Sequence, residues 1–268
     1  MAITSMNDLA AAIAASQDLT YQKASVTSVA AFWYSLWTAA GNPPAGASPG
    51  NTTNGLVPDD STTGAMPISA FTGGATGYLG SLGFNNSVVG SAILYDRLWH
   101  AGAHTITSAG TVTYSSQPSF SARVPNSNWA ECEIWLEFTT TFSATATTLQ
   151  VNYQDGNNAA QNTTVTASLS GTPAPRMIPL GMANATGVQR INTLVTGGTT
   201  ATAGAVNVVV LRRLAQINNL QIGVGERQDF FKLGGQTVFD TSCLAMMVMN
   251  ATGTASGTVF AGIQVINK

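Results

Sequence analysis

Residues Trp129 to Phe138, WAECEIWLEF, alternate so regularly that only an extended chain can use them. Ala130, Cys132, Ile134, Leu136 and Phe138 fall on one side, and Trp129, Glu131, Glu133, Trp135 and Glu137 on the other, the period of a β-strand. The first side is apolar enough for a core. The second gathers three of the chain's twelve acids around two indoles. It is either a catalytic cleft or an outer face that touches something. The outer face is the expectation, with Trp129, Glu133, Trp135 and Glu137 as its contact residues.

The rest of the chain reads as strands preceded by a short helical part. Ser5 to Ala15 predicts a helix, capped by Ser5, with Asp8 in the capping-box place and Met6, Leu9 and Ile13 on one stripe. Val29, Phe32, Trp33, Leu36 and Trp37 recur at helical spacing and stop at Gly41-Asn42-Pro43-Pro44, which predicts a second helix over 26–40. Its aromatic stripe, Phe32, Trp33, Leu36 and Trp37, is either core or the anchor of an interface. Residues 46–77 are rich in Gly, Pro, Ser and Thr without periodicity and read as an extended connector, natural for an arm that reaches a neighbouring subunit.

From residue 78 onward strand signals run to the end: 91–100, 110–114, 120–124, 149–154, 162–168, 188–195, 206–211, 238–249 and 258–266. Asp155-Gly156-Asn157-Asn158 marks a hairpin turn. Cys243 to Met249, CLAMMVM, is apolar on both faces and belongs to a central strand. The expected fold is mainly β, an antiparallel sandwich or jelly roll with a short helical N-terminal arm. The expected division is 1–45 arm, 46–77 connector and 78–268 β domain.

Composition excludes several functions. Only 8% of the residues are charged, against roughly 25% in an average domain, and the formal net charge is −2. Nucleic acid is not an expected partner, because phosphate binding needs clustered Lys and Arg, and Arg212-Arg213 is read as the end of a strand. No apolar run is long enough to span a membrane, and MAITSMNDLAAAIAAS lacks the basic start of a secretory signal. The Asn-x-Ser/Thr triplets at Asn51, Asn85, Asn162, Asn184 and Asn250 are what an Asn- and Thr-rich chain makes by chance. A neutral polar surface suits a protein that lives against neighbours, since burying Thr or Asn costs less than burying Lys or Glu.

Chemistry has few candidates. Cys132 and Cys243 lie in apolar runs and read as two buried thiols. His100 and His104, four apart with Gly102 between them, do not make a ligand pair. Asp96 and Arg97 are expected to make a buried or semi-buried ion pair with other residues nearby. Glu133-Ile-Trp-Leu-Glu137 has the outer acids of the Glu-x-Asp-x-Glu strand of jelly-roll glycosidases, but Trp135 stands where the middle acid belongs. No nucleophile elbow, phosphate loop or zinc-spaced cysteines occur. Neither an enzymatic activity nor a cofactor is expected.

Three blocks carry a resemblance: AFWYSLWTAAGNPPAG near the start, YLGSL…LYDRLWH from Tyr78, and SCLAMMVMNATGTASGTVFAGIQVI at the end. In them the chain resembles virion structural proteins of tailed bacteriophages. The resemblance implies a particle component assembled in bacterial cytoplasm, and leaves head or tail open. A decoration or cement protein on the outside of the head fits better than a major shell protein, which would need a long helix. Its partners would be the major capsid protein and copies of itself, in three-fold clusters. The other reading is a tail- or head-fibre component that binds, or less readily cleaves, host-surface glycans through Trp129, Trp135 and the acidic row.

Overall fold

Strands dominate the computed structural model, which describes residues 3–50, 53–72, 75–143, 145, 147–198 and 202–268. In chain order they follow one helix: α1 (Met6–Ala14), then β1 (Gln17–Lys23), β2 (Trp33–Ser35), β3 (Gly41–Asn42), β4 (Gly77–Asn86), β5 (Gly90–Thr105), β6 (Gly110–Thr113), β7 (Cys132–Thr140) and β8 (Thr147–Asp155). The second half adds β9 (Ala160–Asn162), β10 (Arg176–Pro179), β11 (Val188–Gly198), β12 (Ala205–Asn219), β13 (Glu226–Asp229), β14 (Thr237–Val238), β15 (Leu244–Asn250) and β16 (Val259–Asn267). All strand pairings are antiparallel, as expected of a mainly β chain.

A sandwich or jelly roll was the expectation; the described strands close a barrel and place a sheet on each of two sides of it. The barrel runs β10-β2-β15-β5-β12-β7. One flanking sheet has the order β13-β4-β16-β1-β3, with β14 also on β4; the other is β6-β11-β8-β9. Three apolar cores follow. Ile134, Leu136, Val208 and Val210 on the barrel's outside meet Leu149, Val151, Ile191 and Leu194. On the other side Leu94, Met246 and Val248 meet Leu82, Phe84, Ile263 and Val265. Inside the barrel lie Trp37, Tyr95, Trp135, Val209, Leu211, Ala245 and Met247, which fill it as side chains fill any six- to eight-stranded barrel.

The alternation of β12 explains how one strand serves all three. Val206, Val208 and Val210 point to one flanking sheet, Val209 and Leu211 into the barrel, and Leu214 and Ile217 to the other sheet. Register shifts between Val210 and Leu211 and between Arg213 and Ala215 re-aim the side chains, the usual effect of a β-bulge. Arg212 and Arg213 therefore lie inside a strand rather than at its end. β15 sits between β2 and β5, which gives its two-sided apolar run a core on each face.

α1 forms as expected, with Ser5 Oγ accepting from the amide of Asp8 at 3.1 Å. Its buried side is Leu9 and Ala12 against Ile266, while Met6 and Ile13 are exposed. The second helix does not form. Residues 26–40 hold two β-branched valines, four aromatics and Ser/Thr, all weak helix formers, and the barrel recruits Trp33–Ser35 as β2 beside β15. Leu36 and Trp37 then diverge, one to a flanking core and one into the barrel. Only 6–14 of the expected 1–45 helical arm is helical, because β1 pairs along its length with β16 and β2 completes the barrel. Residues 120–124, expected as a strand, make a 3-10 turn over Ser121–Arg123. The hairpin return after Asn158 is only Ala160–Asn162 in ladder pairing.

The described part of the 46–77 connector is extended but lies on the chain's own barrel. A Cβ on Gly46 would come within 2.3 Å of the Trp37 indole, and one on Gly55 within 2.3 Å of Trp99. Leu56 exchanges backbone hydrogen bonds with His100. Total accessible surface is 10674 Å², close to the about 11,000 Å² of a compact chain of this size; a free arm would raise it.

Candidate functional site

The expected contact face of β7 is the barrel's interior. Trp135 and Glu137 are buried, 1% and 2% exposed, so neither belongs to an outer surface; closure of the barrel buries both faces of the strand. Trp129 and Glu131 precede the strand in a 3-10 turn, and Trp129 packs edge-on to Phe120 at 5.8 Å. Glu133, half-exposed, accepts from Trp135 Nε1 at 2.8 Å and pairs with Arg213 at 3.1 Å. Of the aromatic stripe, Leu36 and Trp37 are core. Trp33 is half-buried against the barrel filling. Phe32 is exposed and stacks on the Arg176 guanidinium at 3.6 Å.

Glu137 anchors a polar network inside the barrel. Arg97 grips it with two hydrogen bonds, at 2.6 and 3.2 Å. Ser35 Oγ and Asn207 Nδ2 donate to it at 2.5 and 2.9 Å. Burial alone would raise its pKa, but the Arg97 charge and these donors outweigh that and hold it at about 2. Arg97 Nε donates to His100 Nδ1 at 2.8 Å, and Trp37 covers the guanidinium at 4.8 Å. His100, pushed down to about 2 by burial and then by Arg97, stays neutral and accepts. Ser48 of the connector donates to Asn207 at 2.8 Å, and Ala47 accepts from Trp37 Nε1. A recess of about 470 Å³ opens here between Val26, Thr38, Phe138 and Pro175, but the carboxylate at its floor has no free acceptor.

Asp96 and Arg123 form the second network. Asp96 accepts from Arg123 at 2.9 Å, Ser242 at 2.8 Å and the Cys243 amide at 2.9 Å, while Arg123 also caps the carbonyls of Arg97 and Leu98. Asp96 and Arg97 thus each make a buried ion pair, with partners distant in the sequence. His104 meets the Tyr114 hydroxyl at 2.7 Å and is held at about 4 by burial. Cys132 and Cys243 are buried free thiols; burial pushes Cys132 up to about 12. Among the described residues no group of three His, Cys, Asp or Glu is placed to hold a metal.

Cleavage of a glycan would need two carboxyls facing one cleft. Glu137 lies at the floor of the recess with every acceptor position taken, and Trp135 stands between it and Glu133 along the strand, so this pair is not arranged as a general acid with its partner.

The surface that strand spacing did not single out is the outer face of the β13-β4-β16-β1 sheet. Its register sets three rows across the strands. The middle row is Thr20, Gly262, Gly83 and Arg227; on either side lie Gln22, Phe260 and Asn85, and Asp18, Gln264, Ser81 and Asp229. A trough of about 440 Å³ runs over Gly83 and Gly262 beside Phe260. The sequence signal was two glycines within strand-like runs.

No family model matches the chain. No curated protein matches it. Among solved structures it is similar to the VP2 subviral particle of infectious bursal disease virus, at 12% identity over 94% of this chain and 79% of that one, with a TM-score of 0.21. The Gt strain of the same virus gives 10% identity, 94% and 80% coverage and a TM-score of 0.19. Scores this low carry no argument about fold or function.

Proposed function

We propose that this chain is a structural component of a bacteriophage particle, a decoration or cement protein that binds across shell subunits on the outside of the head. The observation that carries the reading is the state of its charges. Of ten basic and twelve acidic residues, seven are buried: Lys23, Asp96, Arg97, Arg123, Glu137, Asp155 and Arg212. Fifteen remain for the surface of a 268-residue chain, which also exposes Phe32, Leu220, Ile222, Val224, Phe231 and Phe260. Such a surface loses little on desolvation and is poorly protected against association.

The mechanism is reinforcement without chemistry. Each copy buries neutral sheet and loop surface against two or more shell subunits, and repetition over the particle multiplies a weak contact. The glycan-binding alternative loses two of its contact residues, since Trp135 and Glu137 lie inside the barrel. Particles assembled without this chain should release their DNA at lower temperature and under milder osmotic shock than complete ones. Equal resistance of the two would sink the proposal.

A further inference from the structure

The outer face of the β13-β4-β16-β1 sheet contains two glycines that nothing in the chain requires. Neither Gly83 nor Gly262 is among the positive-φ residues, so the backbone does not call for them. A Cβ on Gly262 would meet nothing within 4 Å, and one on Gly83 only the Gly262 carbonyl at 3.7 Å. Gly46 and Gly55, by contrast, sit beneath indole rings. Glycine in a strand interior weakens the strand, and where the fold does not use it, it marks close approach by something else.

The geometry points to a second copy of this chain as the occupant, with Phe260 of each copy seated over Gly262 of the other. Phe260, 46% exposed, stands two residues from Gly262 on the same strand, so knob and trough lie on either side of Ala261. A two-fold axis in the contact plane, crossing β16 at Ala261 perpendicular to the strands, brings both knobs over both troughs at once. That is the self-complementarity an isologous interface demands. The charges on the face are Asp18, Asp229 and Arg227, of opposite sign and set at its edges, with Gln, Thr, Asn, Ser, Gly and Phe between. Two such faces meet without burying like charge at the centre. Glu226, in register with Phe84 and holding Lys232 at 3.0 Å, also borders the trough, and the same axis passes each copy's β13 over the other's, which sets Arg227 one residue's step from Glu226 of the second copy.

Size sets the strength. Four strands by five residues is about 20 Å by 17 Å, well below the roughly 800 Å² per partner of a standard interface. Leu220, Ile222 and Val224, 81%, 61% and 54% exposed, lead into Gly225 at the trough's border. The pair is therefore weak and concentration-dependent, and it joins copies two by two rather than in the three-fold clusters expected from the sequence. It goes beyond the proposed function and does not rest on it. Shell binding is read on particles and pairing on the free chain, so either fails without the other.

Analytical ultracentrifugation of the full chain from low micromolar to submillimolar concentration tests it, with thermal unfolding measured alongside. The wild type should pass from monomer to dimer. Gly262→Val should weaken dimerisation about tenfold or more, the scale of a hot-spot loss, with an unfolding temperature equal to or above that of the wild type. Phe260→Ser, at an exposed site, should do the same to dimerisation and serves if Gly262→Val misfolds. A wild type that stays monomeric throughout, or a dimer indifferent to both substitutions, overturns the inference. So does a monomer that binds polysaccharide in a Phe260-dependent way, because the trough would then be a sugar platform.

Discussion

At Glu137 every acceptor position of the carboxylate is filled from within the barrel, by Arg97, Ser35 and Asn207. Removing one partner of such a pair leaves the other charge buried and alone, at a cost of about 3–5 kcal/mol. Glu137→Gln should lower stability by that amount in urea denaturation; a loss under about 1 kcal/mol would mean the pair is not sealed from water. Acid should act through His100 in the same cluster and through His104 beside Tyr114. His100 and His104 are held at about 2 and about 4 in the fold, below the usual 6.5, so the unfolded chain takes up their protons first and stability falls as pH drops below about 6.5. Glu137, held at about 2, adds its own loss below about 4.5. Near pH 5 the slope should approach two protons, about 2.7 kcal/mol per pH unit, and His104→Gln should remove about half of it. An unfolding temperature flat between pH 7 and 4.5 would contradict the assignment. These roles were half legible: Asp96 and Arg97 in an apolar run had to be paired, and two cysteines in apolar strands had to be buried. The position of Glu137 was not, because a strand carrying Glu and Trp on one side looks the same whether that side meets water or lines a barrel.

Among elements, strands announced themselves through period-2 alternation, as in β7 and β8, or through a two-sided apolar run, as in β15, and α1 through its Ser5 cap. What local pattern could not show was closure. β12 changes the core it faces twice through bulges, and β2 is three residues chosen by the edge of β15, against an aromatic spacing that imitates a helix. The connector's role was hidden for a related reason. Its glycines read as flexibility, while Gly46 and Gly55 are sites of close approach to Trp37 and Trp99. Gly46→Val should therefore destabilise by about 1–3 kcal/mol, the usual cost of overpacking, by displacing the cover of the Arg97–Glu137 cluster. Gly262→Ala, on an equally glycine-marked strand, should be neutral or stabilising by up to about 1 kcal/mol. Chemical denaturation of the two variants side by side checks the contrast; equal losses would mean that the trough glycine serves the chain's own packing.

For the whole molecule the distribution of charge decides more than any single site. Seven of its charged residues are buried, and the other fifteen are spread over an exterior of mainly neutral residues with a scatter of exposed apolar side chains. A chain built this way holds its own fold firmly and presents surfaces that lose little on contact. This surface is what the proposal of a shell as the partner rests on. The most direct measurement is a reconstruction of intact particles with the barrel and its two flanking sheets fitted as a rigid body. The account predicts repeated density for it on the outer surface of the head, touching at least two shell subunits at every position. Density confined to the tail, or particles that lack the chain altogether, would contradict it.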